Sequence, residues 1–128
     1  MMLTISNLVS ELKSKFPEFA FYNGCIDKTK QCFGVYARGN APHPQAIGGA
    51  CSYGVLPVTI LVHWNNNSND CEIAANTLYE GLEGGIATIN KIRVVDTVMV
   101  DSCPVNIGRD EENNCEMTIR FNIFYERQ

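Results

Sequence analysis

Two histidines carry whatever nucleophilic chemistry this chain offers, because a cysteine needs a nearby base to act as a thiolate. His63 stands in "ILVHWNNNSNDCEIAANTLYEGL", eight residues before Cys71, and His43 stands in "RGNAPHPQAIGGACSYG", eight residues before Cys51. The same four side chains form a donor set that zinc accepts. The pattern around them argues against both uses. No two cysteines have C-x-x-C spacing, close metal-ligand spacing is absent, and neither cysteine lies in a nucleophile-elbow context. "GNAPHPQAIGG" lacks GK[ST] and does not match G-x-G-x-x-G, so it is no phosphate cradle. Asp110, Glu111 and Glu112 form a charge run that reads as a solvated loop. The expectation is a protein without catalytic residues, bound metal or cofactor.

The elements around these residues are legible from periodicity. Ile5, Leu8, Val9, Leu12 and Phe16 fall at helical spacing, with Thr4 as cap and Pro17 as stop. Strands are expected at 19–24, which ends in an Asn-Gly turn, and at 31–37, with the polar "CIDKTK" as a hairpin connection. A long loop follows at 38–54, carrying four glycines and two prolines. "VLPVTILVHW" is the strongest strand. Val58, Ile60, Val62 and Trp64 are assigned to one face and Pro57, Thr59, Leu61 and His63 to the other, with imperfect pairing at Pro57. The asparagine run is then a turn, with Asn69 and Glu72 at capping-box spacing. Cys71, Ala74, Ala75, Leu78 and Leu82 line one stripe of a second helix, and "EGG" stops it.

Residues 89–103 read as one further strand and 104–114 as an acidic loop. In the last strand Cys115, Met117, Ile119, Phe121, Ile123 and Tyr125 alternate inward, with Phe124 the exception on the outward side. The expected fold class is α+β, in the order α-β-β-β-α-β-β. It has a mostly antiparallel sheet of four to five strands with two helices packed on one face. The whole chain, 1–128, is expected to be a single domain.

Composition narrows the function. The 128 residues are 45% apolar and 19% charged, ordinary for a folded domain. A net charge of −4, with ten scattered basic residues, disfavours a nucleic-acid-binding surface. No stretch approaches the roughly 18 apolar residues of a membrane span, so no membrane partner is expected. The N-terminus lacks the pattern of a signal peptide, which points to the cytoplasm and to six reduced thiols at 25, 32, 51, 71, 103 and 115. A domain of this kind works through its surface, above all through the loops at 38–54 and 104–114.

The order "IGG…YGVLPVTILVHWNNN…CEIAANTLYEGL", a later strand, then "PVNIGRDEENNCEMTIRFNIFYER" resembles the minor capsid or tail-terminator-like proteins of tailed phages and prophages. The likeness is densest over Ile47–Leu82 and Pro104–Arg127. It implies a non-enzymatic virion component of the tail and neck, made in the host cytoplasm. Such subunits form a ring, often hexameric, that ends tube growth and joins tail to head. Implied partners are further copies of the chain, the tail tube, the neck or connector proteins, and genomic DNA passing without specific binding. Arg38, His43, Gln45, Tyr53, Asn66, Arg109, Asp110 and Glu111 are the candidate contact residues. Three other readings stand beside this one: another head–tail adaptor or minor capsid role, a cytoplasmic binding module unrelated to phages, and a cysteine- or zinc-dependent enzyme.

Overall fold

The computed structural model describes residues 2–39 and 53–127. Over these residues the chain is α+β, with two helices and a seven-stranded mixed sheet. Helix α1 spans Ile5–Lys15, and its capping box is complete: the Thr4 hydroxyl accepts from the Asn7 amide while the Asn7 side chain accepts from the Thr4 amide. Strand β1 (Phe21–Asn23) and strand β2 (Cys32–Ala37) follow, then β3 (Tyr53–His63), helix α2 (Ser68–Glu83), β4 (Thr88–Ile89), β5 (Ile92–Met99), β6 (Val105–Arg109) and β7 (Cys115–Glu126). The sheet order is β1-β2-β3-β7-β5-β4, with β6 paired to β7 beside β5.

The centre is the long β3–β7 pair, in unbroken antiparallel register from Tyr53↔Glu126 to His63↔Glu116. Directly opposed residues share a face, so Val58 with Phe121, Ile60 with Ile119 and Val62 with Met117 point the same way. These residues, Phe33 and Val35 of β2, Leu8 and Leu12 of α1, and Ala75, Leu78 and Leu82 of α2 join one buried core. Both helices therefore cover that face. Pro57, Thr59, Leu61, Thr118, Arg120 and Asn122 lie on the other, open face and are half-buried.

Three expectations need correction. The segment after β1 is not a hairpin connection, because β1 and β2 pair in parallel, Phe21 opposite Phe33. Gly24, at φ 71°, turns the chain, and the 25–31 segment crosses the open face over Gly34. A Cβ on Gly34 would lie 2.6 Å from both the Cys25 carbonyl oxygen and Ile26 Cγ2, so the crossing needs a glycine there. The expected strand at 89–103 is a hairpin: Asn90 and Lys91, at φ 50° and 67°, turn β4 into β5. The expected loop at 104–114 contains β6. Pairing at Pro57 is incomplete on one side, as expected: the β3–β7 register runs through it without a shift, while the β2 ladder stops at Ala37↔Val58 and the Arg38 amide donates to the Pro57 carbonyl with no return bond from the proline. The sheet thus has more strands than the four or five read from the sequence.

The cap of α2 also moves. Asn67, not Asn69, is the N-cap, and its side chain accepts from the Asn69 and Asp70 amides. The Asn65 side chain accepts from the Asn67 amide, so alternate asparagines build successive turns. At the other end Gly85, at φ 90°, leaves the helix, and its amide donates to the Leu82 carbonyl.

Candidate functional site

His63 is the last residue of β3, and its side chain is 1% exposed although it lies on the open face. Three segments bury it. Cys32 of β2 and Glu116 of β7 flank it in register. The crossing segment passes over it and presents the Lys28 carbonyl, 3.1 Å from Nε2. That carbonyl belongs to a fixed turn: Asp27 Oδ1 accepts from both the amide and the hydroxyl of Thr29, and the Lys30 amide donates to the Asp27 carbonyl. The β6–β7 turn closes the third side.

That turn is organised around Asp110. Its Oδ1 accepts from the Glu112 and Asn114 amides at 2.9 and 2.8 Å. These bonds, the Asn114 amide foremost, hold its carboxyl below the ordinary value of 3.8, with lesser help from His63. Its other oxygen, Oδ2, faces His63 Nδ1 at 3.7 Å, while Glu116 Oε2 lies 3.0 Å from the same nitrogen. Arg109 anchors the turn to the start of α2, donating to the carbonyls of Asn66 and Asn113 and to the Ser68 hydroxyl. His63, Asp110 and Glu116 are thus a mixed nitrogen–oxygen cluster drawn from a strand end, a turn and the next strand. Both ring nitrogens face acceptors only, so a neutral imidazole satisfies just one of them.

His63 and Cys71 do not meet. Cys71 lies on the buried face of α2, where its thiol donates to the Cys115 carbonyl. Burial, reinforced by Cys115, pushes that thiol up to about 12, which disfavours a thiolate. Cys25, Cys32, Cys71, Cys103 and Cys115 are all free thiols. His43, Gln45 and Cys51 lie outside the described residues.

The remaining expected contact residues are spread along the open face and its lower end. The Arg38 guanidinium lies across the sheet, donating to the Val58 and Phe121 carbonyls and to the Asn122 side chain. It serves there as a strut, and its desolvation lowers its pKa, with Arg120 adding to the effect. Tyr53 packs against Phe124 at 6.1 Å, at the opposite end from His63, beside a shallow hollow of about 320 Å³ also lined by Val95 and Val98. Asn66 and Glu111 are exposed at turns. Arg109 and Asp110 spend their main bonds on organising the β6–β7 turn. Glu116 was missed. The signal was present, as an outward acid at the start of the alternating strand, but only the β3–β7 register places it on His63.

A second surface feature is an edge. Among the described residues strand β5 pairs with β7 alone over Asp96–Met99, and all five residues of β6 are exposed. Val95, Val98, Val100, Val105 and Ile107 are between 39% and 52% exposed along it. Among the described residues no helix is long and apolar enough to cross a membrane. No family model matches the chain, and no curated protein matches its sequence.

Proposed function

We propose that the chain is a structural subunit of a tailed-phage or prophage particle, forming a ring at the head-proximal end of the tail that ends tube polymerisation and joins tail to head. The observation that carries this reading is the β5–β6 edge. Among the described residues it presents backbone groups with no strand partner and five exposed branched apolar side chains, a combination that monomeric proteins normally blunt with charge or cover. A ring needs a heterologous contact between two different patches on each subunit. The edge supplies one, and it continues through Val95 and Val98 into the apolar hollow at Tyr53 and Phe124 on the open face. The acid excess suits a passage for DNA, because like charge weakens phosphate binding. The resemblance in motif order supplies the tail and neck as partners.

Electron microscopy of particles from a phage lacking this gene tests the reading. Tails of uncontrolled length, or finished tails that never join heads, are the expected result. Normal tails with defective capsids would move the protein to the head shell. Normal particles throughout would leave it a binding module outside the virion.

A further inference from the structure

The geometry points to a divalent metal site at His63, Asp110 and Glu116, taking a first-row cation such as Zn²⁺ or Mn²⁺. Three observations converge on it. The first is the histidine's orientation. The Lys28 carbonyl, 3.1 Å from Nε2, can only accept, so a neutral ring holds its proton there and aims its Nδ1 lone pair at two carboxylate oxygens. A backbone carbonyl fixing the far nitrogen is the usual outer partner of a metal-ligating histidine. The second is charge. Among the described residues neither Asp110 nor Glu116 has a lysine or arginine at ion-pair distance, so two carboxylates converge on one buried imidazole. A lone pair facing two anions calls for a cation between them.

The third observation is spacing. Ligand bonds of about 2.1 Å at octahedral or tetrahedral angles put neighbouring donor atoms about 3.0–3.4 Å apart. Nδ1 lies 3.0 Å from Glu116 Oε2 and 3.7 Å from Asp110 Oδ2, and the three donor atoms all lie within 4.8 Å of one another, so closure draws the Asp110 turn inward. An imidazole with two carboxylates suits zinc or manganese better than calcium or magnesium, which favour oxygen alone. The carboxylate side chains are 15% and 18% exposed, leaving a way in for the ion and its remaining waters. A bound ion would tie the crossing segment, the Asp110 turn and the end of β3 together.

The competing state is a proton in the ion's place, giving an imidazolium paired with both acids. Calorimetry and thermal melts of the full chain with Zn²⁺, Mn²⁺ and Co²⁺, with Mg²⁺ as control, separate the two. The site predicts one equivalent bound and a rise in melting temperature that grows with metal concentration. Asp110→Asn and Glu116→Gln keep shape and partial exposure, and each should weaken binding at least about tenfold. The Co²⁺ complex should show ligand-field absorption without thiolate charge-transfer bands. Any of three results overturns the site: no saturable binding up to millimolar metal, binding unchanged in both variants, or thiolate bands that place the ion on a cysteine.

Discussion

Gly34 shows how one residue sets the path of a segment. The 25–31 crossing lies directly on it, and a carbonyl oxygen 2.6 Å from the missing Cβ cannot swing aside as a side-chain tip would. Gly34→Ala should therefore destabilise the fold by about 2 kcal/mol, within the usual range for overpacking, measured by urea unfolding. Gly39→Ala, where an added Cβ meets nothing within 4 Å, serves as the neutral control. Asp101 offers a second residue-level test. Arg120 bonds it through Nε and Nη2 at 2.9 and 2.7 Å, and those bonds hold its carboxyl below the ordinary 3.8. A depressed folded pKa gives stability that is fully present above the unfolded value and lost as pH falls through the folded one. Asp101→Asn should thus be less stable than the parent at pH 7, and the gap should narrow on acidification below about pH 4.

At the scale of elements, the asparagine run divides its labour in a way that mutation can read. Asn67 satisfies two amides at the start of α2, whereas no side-chain bond of Asn69 supports the helix. Asn67→Ala should lose about 1 kcal/mol, or about 4 °C in Tm, while Asn69→Ala leaves the melt nearly unchanged. Equal losses at both positions would show that the cap is misplaced. The β4–β5 hairpin offers a gain instead. Asn90 and Lys91 both adopt positive φ, and asparagine followed by glycine is the preferred pair for such a turn. Lys91→Gly should raise stability by about 0.5–1 kcal/mol, by relieving a left-handed backbone that a lysine adopts at a cost.

For the whole molecule, the core and the contact surface are separable. Ile107 is 52% exposed on β6 and contributes nothing to the buried cluster, so a charge there leaves the monomer's stability within about 0.5 kcal/mol. If the β5–β6 edge builds the ring, Ile107→Lys should abolish self-association and tail joining while the melting curve stays put. Native mass spectrometry and complementation of the gene deletion measure the two halves of that statement. Retained assembly in this variant would shift the contact to another surface.

The amphipathic stripe of α1, the strong β3 strand and the inward row from Cys115 to Tyr125 were readable from sequence, because each repeats a period over enough residues to outweigh local exceptions. The polar 104–114 stretch hid β6, whose residues face solvent and so carry no buried alternation. The parallel β1–β2 pairing was equally hidden, since the polar linker suits a hairpin as well as a crossing. The candidate site follows the same division. His63 could be placed on a strand from its neighbours alone, but its acids arrive from 47 and 53 positions further along the chain. Which distant carboxylates meet a histidine depends on strand register and turn geometry, and those are fixed only when the sheet assembles.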